Sequence, residues 1–230
     1  MTTRLQRLGI GLVLIGIAFF AAGGYTFIRT QDGAHSLQAF SAAQNVKLSY
    51  NDQGQLVDRG ETAGAAAIMS LLTNDWGYKV DASEMNPNDP LVNTASEYMY
   101  QMATINFHTL HATTTVTIPA DVIVDGVVVT KAGDYEFVND GKYWTGFDRT
   151  NPIEAAAREQ IWTPTAIALI GTLGVGSVTA SALQMGLGIA ALFALVGMTV
   201  VLTGLGLVWA TRAATEKVKA PAFRTATNPA

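Results

Sequence analysis

"MGLGIAALFALVGMTVVLTGLGLVWA", residues 185 to 210, is a run of 26 residues without one charged side chain. At about 1.5 Å of rise per residue, a helix of that length crosses the ~30 Å hydrocarbon core of a bilayer. It closes on Trp209, a residue type of the membrane interface, and Arg212, Lys217, Lys219 and Arg224 follow. This stretch predicts a transmembrane helix over 185–210. The preceding residues, "TPTAIALIGTLGVGSVTASAL" (163–183), are also uncharged, but carry Thr or Ser at 163, 165, 172, 177, 179 and 181. Only Gln184 and its neighbours would remain for a turn between two spans. We therefore read 163–183 as a helix leading to the membrane, partly buried against a domain.

The N-terminus mirrors this pattern. Gly9 to Ile28 is an uncharged run of about 20 residues, with Arg4 and Arg7 before it and Arg29 after it. Two arginines, an apolar stretch and "AAGG" also fit a cleaved signal peptide. The apolar run continues past that site to Ile28, so the expectation is a retained membrane helix over 9–28.

Charge sets the expected orientation. Residues 32–183 carry 17 Asp and Glu against 7 Lys and Arg, a balance of 7 − 17 = −10. The tip, 1–8, has two basic and no acidic residues, and the tail, 211–230, has four basic residues and Glu216. Basic flanks face the cytoplasm, so an even number of spans is expected, with residues 29–184 outside as an extracytoplasmic domain. Both flanks are too short to hold an output domain, which argues against a self-contained receptor. Composition agrees with lipid contact: 49% of residues are hydrophobic and 14% charged, with a mean hydropathy of +0.25, against about 25% charged in soluble domains. The absence of cysteine excludes disulfides, thiolate metal sites and thiol nucleophiles.

Within the outer region, "NVKLSYNDQGQLVDRG" (45–60) alternates and turns like a hairpin, and 61–77 reads as a helix stopped near Asn74 and Gly77. Residues 83–93, with two prolines and three asparagines, form a loop. Thr94 and Glu97 make a capping-box signature for a helix over 94–111. Residues 113–138 are rich in β-branched side chains, with turns at "VDGV" and "KAGD", which predicts three short strands. Asn151 followed by Pro152 starts a last helix. The fold class is therefore a membrane protein with two transmembrane helices flanking an α+β extracytoplasmic domain.

Candidate chemistry is sparse. His108 and His111 lie three apart on the predicted helix and could offer two nitrogens to one cation; zinc would need a further ligand. The turn before them supplies none, so His35 or a loop carboxylate would have to be brought in by the fold. The plainer reading is that both histidines sit at a helix end, where the dipole favours positive charge. The carboxylates are scattered without calcium-loop spacing. No nucleophile elbow, phosphate loop, cofactor motif or nucleic-acid patch occurs, so no enzyme activity, cofactor or nucleic acid is expected. The membrane segments say more. Gly186, Ala190 and Ala194 recur every four residues in one, and Ala18 and Ala22 do so in the other, a spacing that lets helices pack closely. Neither span holds an ionisable group, which argues against transport by this chain alone.

The run "NDPLVNTASEYMYQMATINFHTLHATTTVTI", with "YWTGFDRTNP" and "VGSVTASALQMGLGIAALFALVG", resembles uncharacterised two-span envelope membrane proteins of actinobacteria. That resemblance implies no established activity. Some small two-span actinobacterial proteins of this size are accessory subunits of the cytochrome bcc–aa3 respiratory assembly. The expectation is thus an accessory or structural subunit whose partners are other integral membrane proteins and the lipid bilayer. The alternative is an extracytoplasmic protein that binds a metal or small ligand.

Overall fold

The computed structural model describes residues 2–219. Two helices in it are long and apolar enough to cross a membrane, and an α+β region lies between them in the chain. Residues up to His35 and from Ala182 onward form one compact unit; Ser36–Ser181 form a second.

Helix α1 runs Thr2–Gln44, 43 residues, more than twice the ~20 that a hydrocarbon core requires. It does not stop at Ile28 with the apolar run. Residues 29–44 contain no proline and are rich in Ala and Gln, so nothing breaks the helix until Asn45. Asn45 takes a left-handed conformation (φ 50°) that ends it. Helix α5 runs Pro164–Lys219, 56 residues. Pro164 sits at the first helical position, and the Thr163 hydroxyl accepts from the Ala166 amide at 3.1 Å. Residues 163–183 are thus not a separate segment but the first part of this helix. The hydroxyls of Thr172, Thr199 and Thr203 each donate to the carbonyl four residues back, which satisfies them inside an apolar helix. Of the expected basic tail, Arg212 is described; residues 220–230, with Arg224, lie outside the described residues.

In the second unit the capping box forms as its sequence requires: α3 spans Ala95–Leu110, with Thr94 and Glu97 capping each other. Helix α2, Thr62–Ser70, continues into a π-helical turn, Leu71–Asp75, and Gly77 at φ +65° ends that run. The expected hairpin over 45–60 forms in part, over its turn and the residues next to it. Its turn is present, held by the Asn51 carboxamide accepting from the Gln53 and Gln55 amides. Its arms pair at Tyr50 and Leu56, where the Asn51 and Val57 amides donate to the Gln55 and Ser49 carbonyls, and the start of the first arm pairs with the 83–93 loop, Lys47 opposite Leu91. Proline-bounded "PLV" is extended, and the Leu48 and Val92 amides donate to the Pro90 and Val46 carbonyls.

Four strands form in place of the expected three. β1 (Thr113–Ile118) pairs antiparallel with β4 (Gly133–Val138), Thr113 opposite Val138 and Ile118 opposite Gly133. β2 (Val122–Val124) pairs with β3 (Val127–Thr130) as a separate two-stranded sheet. The break between β1 and β2 falls at Pro119, which has no amide to donate. The Asp121 carboxylate then takes the Ala132 amide at 2.7 Å and pins the base of the hairpin. Its two-residue turn has Asp125 at φ 50° and Gly126 at φ 78°, the signature of a type I′ connection.

Two apolar clusters fill this unit. One gathers Leu48, Ile68, Leu72, Val92, Tyr98 and Ala103 between α2, α3 and the extended segments. The other joins the inward β1 side chains Val116 and Ile118 to Phe147 and to Ala157, Ile161 and Trp162, at and just beyond helix α4 (Pro152–Ile161). The Asn151 carboxamide caps α4, accepting from the Ile153 and Glu154 amides.

Candidate functional site

In the first unit α1 and α5 meet along a seam of very small residues. On α1 the buried positions are Gly9, Gly16, Gly23 and Thr30; on α5 they are Ala190, Gly197, Gly204 and Thr211. Each set steps by seven. A seven-residue repeat keeps one face of a 3.6-residue helix towards its partner only if the pair supercoils left-handedly. Gly9 faces Gly204, Gly16 faces Gly197 and Gly23 faces Ala190. A Cβ at Gly16 would lie 2.8 Å from the Gly197 carbonyl, and one at Gly204 would lie 2.6 Å from the Gly9 carbonyl. The two backbones are therefore in direct contact, which only glycine permits.

The expected packing residues divide accordingly. Ala190 is buried in the seam; Gly186 faces the Thr30 hydroxyl, 2.5 Å from where its Cβ would be; a Cβ at Gly23 would lie 3.3 Å from the Ala194 amide nitrogen. Ala18 and Ala22 are exposed, off the seam. They follow a spacing of four, whereas the contact follows seven. The outer surface of the pair is apolar and unpartnered among the described residues: Leu14, Ile17, Tyr25, Leu195, Met198, Leu202 and Trp209 are all more than half exposed. On it, Gly24 and Ala191 leave an apolar notch between Phe20 and Phe27.

The histidines of the second unit do not converge. His108, in the last turn of α3, places Nε2 2.9 Å from Asp58 Oδ1. His111 is the C-cap of α3, and its Nδ1 lies 2.8 Å from the Phe107 carbonyl. His35 belongs to the other unit. Among the described residues no group of three or more His, Cys, Asp or Glu side chains is placed to hold a metal ion. The His108–Asp58 contact ties the end of α3 to the segment before α2. Both side chains are largely buried, so Asp58→Ala should lower stability by about 1–2 kcal/mol. Equal melting of this variant and the parent chain would remove that role.

The most enclosed ionisable group is Glu97, 1% exposed. Its Oε2 accepts from the Asn93 amide (3.1 Å), the Thr94 amide (3.0 Å) and the Thr94 hydroxyl (2.8 Å). Burial pushes its pKa up and the charge of Asp89 adds to this, while the three donors oppose it. Nearby, the Tyr50 hydroxyl is buried without a hydrogen-bond partner among the described residues. Burial, and then the Glu97 charge, raise its pKa. Tyr100 is raised chiefly by burial, with Asp58 and Tyr50 adding. The geometry of these groups is that of a helix start and a core. The sequence reading identified Glu97 as a cap but not its burial, which depends on Asn93 and the 83–93 loop closing over it.

The chain matches no protein-family model, no curated protein and no solved structure.

Proposed function

We propose that this chain is a non-catalytic accessory subunit of a multi-subunit membrane complex, with both ends cytoplasmic and residues 29–184 outside. The observation that carries the reading is the helix pair. Its seam brings small residues seven apart into backbone contact and turns large aliphatic and aromatic side chains outward, where only lipid or other membrane helices can cover them. The seam contains no charge or broken helix of the kind that lines a transport path. The acidic balance of residues 32–183 suits a basic partner surface. The respiratory assembly named by the sequence resemblance is the first complex to examine.

Purification in mild detergent should bring down at least one other integral membrane protein in fixed stoichiometry. Gly24→Leu fills the outer notch, and a Cβ at Gly24 meets nothing within 4 Å, so the pair itself is undisturbed. That variant should lose the partner while melting like the parent. A chain that purifies alone from its native membrane would refute the proposal.

A further inference from the structure

The β2–β3 hairpin is apolar on both faces and lies almost wholly in solvent: Ile123 is 60% exposed, Val124 52%, Val127 64%, Val128 45% and Val129 51%. Isolated two-stranded sheets are marginal in water, and contiguous exposed aliphatic patches mark surfaces that another molecule covers. Among the described residues β3 pairs with β2 alone, which leaves its other edge open there. In a hairpin closed by a two-residue loop, the pair next to the loop is the hydrogen-bonded one, here Val124 and Val127. The amide and carbonyl of the next residue, Val128, then point to the open edge. The register shift beside this position leaves Val129 as the extra residue within β3.

The charges around this edge say what covers it. Reading 125–131, "DGVVVTK", an acid stands three residues before Val128 and a base three residues after it. Neither Asp125 nor Lys131 has an ion-pair partner among the described residues. Two copies laid antiparallel, Val128 opposite Val128, bring Asp125 of each beside Lys131 of the other, with valines between. A parallel arrangement sets Asp beside Asp and Lys beside Lys, which is unfavourable. We infer that the open edge of β3 is a homotypic docking strand, joining two copies of this chain antiparallel about a two-fold axis at Val128. This inference goes beyond the subunit reading and rests only on the second unit.

The chain contains no cysteine, so a single introduced thiol reports cleanly. In an antiparallel hydrogen-bonded pair the Cα atoms are about 5.5 Å apart, within reach of a disulfide. The full chain carrying Val128→Cys, in nanodiscs under mild oxidation, should convert mostly to a disulfide-linked dimer. Gln53→Cys, exposed on a different turn, should not. Asp125→Lys and Lys131→Asp, each added to Val128→Cys, should cut the cross-linked yield at least fivefold, and the two together should restore it. The proposal is overturned if Val128→Cys stays monomeric, if Gln53→Cys cross-links equally, or if the charge reversals change nothing. A monomer whose label at position 128 is quenched by lipid-phase nitroxides would also overturn it, in favour of insertion into the bilayer.

Discussion

A Gly16→Leu chain loses its helix pair. At Gly16 a Cβ alone would lie 2.6 Å from a Val201 methyl, 2.8 Å from the Gly197 carbonyl oxygen and 2.9 Å from the Val201 amide nitrogen. Two of those three atoms are backbone, so no side-chain rotation relieves the clash; the helices must move apart, and the seam is contiguous. Overpacking of this kind costs about 1–3 kcal/mol for small increments and more for large ones. Gly16→Ala should fall in that range, and Gly16→Leu should separate α1 from α5. Thermal unfolding in detergent reads the difference. Gly11 and Gly24 supply the control, because a Cβ at either meets nothing within 4 Å. Alanine there should leave the melting temperature unchanged or raised, since alanine is the better helix former. If Gly16→Leu melts with the parent chain, the seam does not hold the pair.

Glu97→Ala should destabilise the second unit by roughly 3 kcal/mol. It strips the acceptor from two backbone amides and one hydroxyl, and a buried donor left unsatisfied costs about 1–3 kcal/mol. The loss takes the start of α3 with it, including the Tyr98, Tyr100 and Ala103 face that forms the core. pH separates the charge from the hydrogen bonds. The folded-state pKa of Glu97 lies above its ordinary value of 4.5, chiefly because burial disfavours the carboxylate. The folded state therefore holds the proton more tightly than the unfolded chain. The stability this contributes is full below pH 4.5 and is lost as pH rises through the folded-state pKa. Glu97→Gln keeps the shape and most acceptors but cannot titrate, so its stability should not fall over that window. Parallel pH–stability curves for parent and Glu97→Gln would exclude Glu97 as the titrating group.

Local chemistry made the second unit partly legible. Thr94 and Glu97 mark the start of α3 because a capping box satisfies two helix-end amides at once, and Asn151–Pro152 marks α4 for a similar reason. What failed was long-range. The first arm of the 45–60 segment alternates like a hairpin arm, yet the Val46 carbonyl and the Leu48 amide at its start find their partners in the 83–93 loop, about 40 residues away, which no local pattern specifies. Pro119 breaks the run of β-branched residues into β1 and β2, because a proline has no amide to donate to a ladder. The hydrogen-bond partner of His108, Asp58, lies outside its helix, fifty positions upstream.

The apolar helices were legible as helices but not in length or face. Hydropathy stops at Ile28, whereas helix propensity does not, so α1 continues to Gln44. A chain with 22 glycines contains small residues at many spacings. The four-residue spacing at Ala18 and Ala22 and the seven-residue spacing at Gly9, Gly16 and Gly23 are both present; only the partner helix selects between them. The deciding signal was the same step of seven in both helices, at Gly9, Gly16 and Gly23 and again at Ala190, Gly197 and Gly204.

That shared step leaves the pair nearly indifferent to sliding. The residue numbers of each facing pair, 9 with 204, 16 with 197 and 23 with 190, add to 213. Move one helix along the other by seven positions, about 10.5 Å of axial travel, and Gly16 meets Gly204 while Gly23 meets Gly197. Two of three glycine contacts re-form with no new bulk between them. A row of equal notches fixes how close two rods lie and leaves open which notch engages. The tie is broken at the end of the row, where Thr30 sits over Gly186, three residues short of the repeat: a stop that turns a track into a latch.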